Sequence, residues 1–225
     1  MGNELHKGHR QRVKKRYLAS GLDSFEDHQA LEFLLFYCYP LKDTNEPAHK
    51  MLKEFGSLSN LFDAGPAEIS RRCNVTENVA ILVSLIPSLA KRYSLAKWEK
   101  KAVLNTSAKA GRYAVSLFIG KKYECFYLVC LDTQRKLIYP QIISEGTIDE
   151  TPVYPRIIVE ESLKHKAACV FLAHNHPSGD PTPSQSDIIA TKKITAALEP
   201  LDIEVLDHIL VAGENYISFA EKKIL

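Results

Sequence analysis

The run Ala173-His174-Asn175-His176-Pro177-Ser178-Gly179-Asp180-Pro181-Thr182-Pro183-Ser184-Gln185-Ser186-Asp187 joins a strand pattern to a helix pattern. Cys169 to Ala173 lead into it as a short buried strand, and an amphipathic helix leaves it from Ser184 to Leu198. Side chains alternate faces in an extended segment, so His174 and His176 point the same way and can offer two imidazole nitrogens to one ion, while Asn175 points elsewhere. Pro177, Pro181 and Pro183, each with a fixed φ and no backbone donor, keep the loop out of regular structure with Gly179. Ser184-x-x-Asp187 resembles a capping box with Asp in place of Glu, which puts Asp187 in the first helical turn. Its carboxylate can then reach back to the histidines. Two nitrogens and one carboxylate leave a fourth position for water, the catalytic arrangement of zinc, whereas structural zinc sites close all four positions. The competing reading is a solvated proline-rich loop whose Ser-x-x-Asp only caps a helix; the flanking strand and helix favour the metal.

Outward from this loop, residues 106–225 alternate helices and strands: a helix from Ser107 to Ile119, strands over Glu124 to Asp132, Leu137 to Ser144 and Thr147 to Val153, and a helix from Pro155 to Lys166. After the exit helix, Ile203 to Ala212 and Tyr216 to Ala220 form a hairpin across Gly213-Glu214-Asn215. The expected fold class is α/β, with a sandwich domain built on a mixed sheet. Residues 1–93 read as helical instead, over Lys7 to Ser20, Asp27 to Tyr39, Thr44 to Phe55, Ser57 to Ala64, Pro66 to Arg72 and Thr76 to Tyr93. Residues 94–105 are short and polar around Trp98 and read as the linker.

At 225 residues the chain is long enough for two such domains. Hydrophobic residues at 45% and charged ones at 25% are ordinary for a globular protein, and a net charge of +2 points to neither nucleic acid nor membrane. The charge is uneven, with Lys7, Arg10, Arg12, Lys14, Lys15 and Arg16 near the start. Five scattered cysteines, each in or beside an apolar run, read as buried thiols of a reducing compartment. No apolar stretch reaches membrane-spanning length and the basic start lacks a signal-peptide core, so the expectation is a cytoplasmic protein with no membrane partner.

The pattern His174-x-His176-x7-Ser184-x2-Asp187 resembles the JAMM motif of MPN-type (JAB-domain) metalloenzymes at every spacing. His174-Asn175-His176-Pro177-Ser178-Gly179-Asp180-Pro181, followed by Leu206-Asp207-His208, is similar to the RadC-like branch in particular. Leu31 to Leu35 with Phe55-Gly56-Ser57-Leu58 resembles that branch's N-terminal domain, related to helix-hairpin-helix DNA-binding domains. The resemblance implies one Zn²⁺ on His174, His176 and Asp187, a water as nucleophile, and a glutamate base at the start of a core strand. The match for the base is Glu124, with Glu145 as rival. It implies that Ser184 donates to a developing oxyanion, and it suggests that Asp207 and His208 lie behind the metal ligands and support them. His6, His9, His28, His49 and His165 have no ligand spacing and are expected at the surface or in packing.

Three functions compete. The first is hydrolysis of a peptide or isopeptide amide bond in a protein substrate, with a possible link to DNA repair. The second is a metal-dependent nuclease, disfavoured because enzymes that cut phosphodiesters with Mg²⁺ rely on oxygen ligands, often in two-metal sites. The third is a DNA-associated binding module with a vestigial site. Helix-hairpin-helix turns use glycine to let backbone amides approach a phosphate, but the equivalent turn here, Arg71-Arg72-Cys73-Asn74-Val75-Thr76-Glu77, has none. Any DNA contact is therefore expected to be weak. Substrate identity and oligomeric state stay open at this stage.

Overall fold

The computed structural model describes residues 8–40, 42–98, 102–146 and 154–225. The chain divides into two compact units, Met1–Leu89 and Ala90–Leu225. The first holds α1 (His9–Ser20), α2 (Asp27–Leu35), α3 (Asn45–Phe55), α4 (Leu58–Phe62), α5 (Pro66–Cys73) and the start of α6 (Glu77–Ala96). Leu31, Leu35, Met51, Leu61, Ile69 and Val83 form its core.

Helix α2 stops short of the expected Tyr39. Pro40 disfavours helical backbone just before it, and the Arg10 guanidinium takes the carbonyls of Phe36, Tyr39, Pro40 and Lys42. The glycine-free turn between α5 and α6 solves its geometry with Asn74, which adopts the left-handed conformation at φ 53°, one of the few side chains that tolerate it. By length and composition alone α6 is apolar enough to cross a membrane; Val79, Ala80 and Val83 are buried in the helical core.

The expected linker is structured in part. Residues 94–96 complete α6, and Trp98 packs edge-on against Tyr113. Leu104 is buried and its amide donates to Arg135 O, while Val103 bridges Lys136.

The second unit continues with α7 (Ser107–Phe118), β1 (Cys125–Leu131), β2 (Leu137–Glu145), α8 (Pro155–Lys164), β3 (Cys169–Asn175), α9 (Gln185–Leu198), β4 (Glu204–Ala212) and β5 (Asn215–Ser218). The strand expected over Thr147 to Val153 lies outside the described residues. The sheet is mixed, in the order β2-β1-β3-β4-β5. Strand β1 runs antiparallel to β2 and β3, β3 is parallel to β4, and β4 is antiparallel to β5.

Every residue of β1 and β3 is buried, as continuous apolar runs demand when both faces are covered. On one face Tyr127, Val129, Phe171 and Ala173 pack with Tyr113 and Leu117 of α7. Gly111 of α7 lies under the Tyr216 ring, so closely that any side chain there would collide with it. On the other face Phe126, Leu128 and Leu172 pack with Ile158 of α8 and with Ile194 and Leu198 of α9.

Candidate metal centre

Strand β3 brings His174 to the α9 side of the sheet, fully buried, and the chain leaves the strand as the His176 amide donates to Val211 O. A turn closes with Gly179 at φ 81°, its amide donating to His176 O. Asp180 then accepts from the Thr182 amide, and Ser184 opens α9. The capping box forms as the spacing predicts. Asp187 N–H donates to Ser184 Oγ at 3.1 Å, and Ser184 N–H returns a bond to Asp187 Oδ2 at 2.8 Å. Ser184 Oγ also donates to Oδ2 at 2.6 Å.

These constraints bring His174, His176 and Asp187 together, with one ligand atom from each lying within 4.8 Å of the others. His174 Nε2 is 3.2 Å from His176 Nε2 and 3.4 Å from Asp187 Oδ1. His176 Nε2 is 3.7 Å from Asp187 Oδ2. His176 Nδ1 lies 2.9 Å from Asp180 O. A carbonyl only accepts, so the His176 proton sits on Nδ1 and the lone pair of Nε2 faces the cluster. A lone pair, a carboxylate and a second imidazole nitrogen converge with a positive charge needed among them. Burial pushes the Asp187 carboxyl up, but a protonated His174, with the Ser184 hydroxyl and amide, outweighs it and holds the group well below the usual carboxylate range. The donor set of two imidazoles and one carboxylate fits Zn²⁺.

The two candidate bases have different strand surroundings. The β1–β3 register ends with Phe126 opposite His174, and Glu124 lies two residues before Phe126, just outside β1. Glu145 pairs with Cys125, which belongs to the α7 face, and it holds an ion pair with Lys121. Asn175, passed over in reading the sequence, clamps the segment that carries Glu124. Its Oδ1 accepts from Cys125 N–H at 2.7 Å and its Nδ2 donates to Tyr123 O at 3.1 Å.

The expected support from Asp207 and His208 divides. His208 Nε2 lies 2.7 Å from His174 Nδ1. Asp207, the next residue on the strand, points to the other face and accepts from Ser218 Oγ, Ala220 N–H and the His208 amide. Its hydrogen bonds hold β4 to β5 and to the turn after it. Thr191 was also missed; its Oγ1 lies 2.6 Å from His208 Nδ1. Its only signal in the sequence is a position four residues after Asp187 on the same helix face. His28 and His49 stack on each other at 4.3 Å, His165 stacks on Tyr139, and His9 pairs with the buried Glu32.

An antiparallel and parallel mixed sheet between α7 and the α8–α9 pair, with two histidines and an aspartate able to hold a divalent cation at the strand-to-helix loop, defines a JAB-type α/β domain. The RadC-like JAB domain family model matches residues 104–224, and the chain belongs to that family.

Proposed function

We propose that the protein is a zinc-dependent metallohydrolase that cuts a peptide or isopeptide amide bond. The convergence of His174, His176 and Asp187 carries this reading. These three residues would hold the ion, and when bound it supplies the Lewis acidity that brings the pKa of a water from about 15.7 to about 7. Glu124, which strand alternation continued back from Phe126 would put on the same face, takes the proton from the attacking water and returns it to the leaving amine nitrogen. Asn175 holds the backbone on both sides of Glu124. Ser184 anchors the Asp187 carboxylate, and to donate to an oxyanion it turns its hydroxyl away from Oδ2. His208 supports His174.

Two imidazoles in one small cluster favour zinc over the oxygen-rich sites of Mg²⁺ nucleases. DNA contact by the helical unit ranks lower. Of its basic stretch, Arg10 is engaged with carbonyls, and Arg16 with Ser24 and Gln29. The free cysteines, buried except for the half-buried Cys38, fit a reducing, cytoplasmic compartment.

The test is incubation of the zinc-loaded chain with a peptide library and with plasmid DNA, with and without chelator. Chelator-sensitive amide cleavage with intact plasmid is expected, and plasmid nicking without peptide cleavage would overturn the reading. Glu124→Gln should keep its zinc and lose about 10²- to 10⁴-fold in rate, the usual worth of a positioned acid-base group. Glu145→Gln should be nearly silent; if it is the variant that loses activity, the base is misassigned.

A further inference from the structure

We infer that Thr191 is a positioning residue for the metal centre, fixing through His208 the tautomer in which His174 carries its proton on Nδ1 and its lone pair on Nε2. Thr191 Oγ1 lies 2.6 Å from Asp187 O and 2.6 Å from His208 Nδ1. The Asp187 carbonyl has no proton to give, so the single Thr191 hydroxyl proton occupies the contact between the two oxygens. Thr191 is left as an acceptor toward His208, and His208 must donate from Nδ1.

His208 is fully buried, with the Phe126 ring 5.5 Å and the Phe219 ring 4.5 Å from its own. A second proton would put a charge among those rings, at a desolvation cost that the neutral ring avoids. Its Nε2 therefore carries a lone pair and accepts from His174 Nδ1 at 2.7 Å. The nitrogen left to His174 is Nε2, the atom that faces His176 and Asp187. The opposite polarity would put a proton on Nε2 and disable it as a ligand.

The relay begins and ends on the site. Asp187 and Thr191 stand one turn apart on α9, so the helix that supplies the ligand carboxylate also supplies the carbonyl that orients the chain of protons. On the sheet, His208 pairs with Leu172, diagonal to His174 on the same face. The inference rests on the metallohydrolase reading only for the identity of the ion, because the proton positions follow from contacts present without it.

Thr191→Val keeps the shape and removes the hydroxyl, whereas Thr191→Ser keeps the hydroxyl. Two readouts apply: the ring ¹⁵N shifts of His174 and His208 in the ion-free chain at about pH 8, above the usual histidine range, and the zinc dissociation constant by competition with a chromophoric chelator. Wild type should show both rings protonated on Nδ1. Thr191→Val should convert His174 to a tautomer mixture and weaken zinc about 10- to 100-fold, as other partners behind metal-ligating histidines do, and Thr191→Ser should match wild type in both. Unchanged ring shifts in Thr191→Val overturn the inference, as does a wild-type His208 protonated on Nε2, a result that needs no variant to fold. A wild-type chain that takes up no zinc sinks the metallohydrolase reading instead, and the ring shifts still decide the relay.

Discussion

The two faces of β3 divide one strand between two kinds of burial. Toward α7 it presents Cys169, Phe171 and Ala173 to an apolar core with Ile209 and Val211. Toward α9 it presents Val170 and Leu172 and then, at the same level as Ala173, His174, with His208, Thr191 and Asp187 around it. Both faces of the strand are buried. The difference shows what a buried polar cluster requires: each outward-facing atom is consumed by a neighbour, Nδ1 of His174 by His208, Oδ2 of Asp187 by Ser184, Nδ1 of His176 by Asp180 O. What remains unspent is the set of atoms that face one another, and that remainder is the site.

Substitutions on each face sharpen the contrast. The largest effect is expected from His174→Ala, which should drop zinc from about one ion per chain to none by elemental analysis, since three protein ligands are the minimum of a catalytic zinc site; full zinc retention would break the assignment. On the opposite face of the same strand, Phe171→Ala should cost about 3–5 kcal/mol in denaturant unfolding while the folded fraction keeps its zinc. Zinc loss in that variant would mean the faces are not independent. Asn175→Ala gives up one buried and one part-buried hydrogen bond, each worth about 0.5–1.5 kcal/mol. It should leave zinc affinity near wild type and lower the hydrolytic rate through Glu124, so a variant that loses metal in proportion to activity would contradict the clamp.

Much of the fold and the candidate ligand cluster could be read from residue order because the signals are local. His174 and His176 need only strand alternation, Asp187 needs only a cap, and continuous apolar runs announce β1 and β3 as strands covered on both faces. The proposed base required more. Glu124 and Glu145 both sit at strand ends, and choosing between them turns on the face each would occupy, a matter of pairing register that includes a shift between Phe126 and Tyr127 in the β1–β2 ladder. Expecting Asp207 and His208 to serve one site overlooked that neighbours on a strand point apart. Thr191 stayed hidden because its partner lies on a different strand, reached only through the parallel pairing of β3 and β4. At the turn between α5 and α6 the residue types alone did not reveal the backbone: glycine is absent, but the left-handed conformation it usually supplies is present in Asn74.

The three candidate ligands fall within fourteen consecutive residues, from His174 to Asp187, whereas the proposed base, Glu124, precedes a strand that reaches them only by long-range pairing with β3. Closing a short loop costs little chain entropy, and long-range pairing must be established before it repays its cost. On the proposed reading, chelation would thus be a property of one local segment, and hydrolysis a property of the assembled sheet. A partial opening that released β1 from β3 would then leave an ion-holding loop without its proposed base, and the reactive state would exist only in the completed fold.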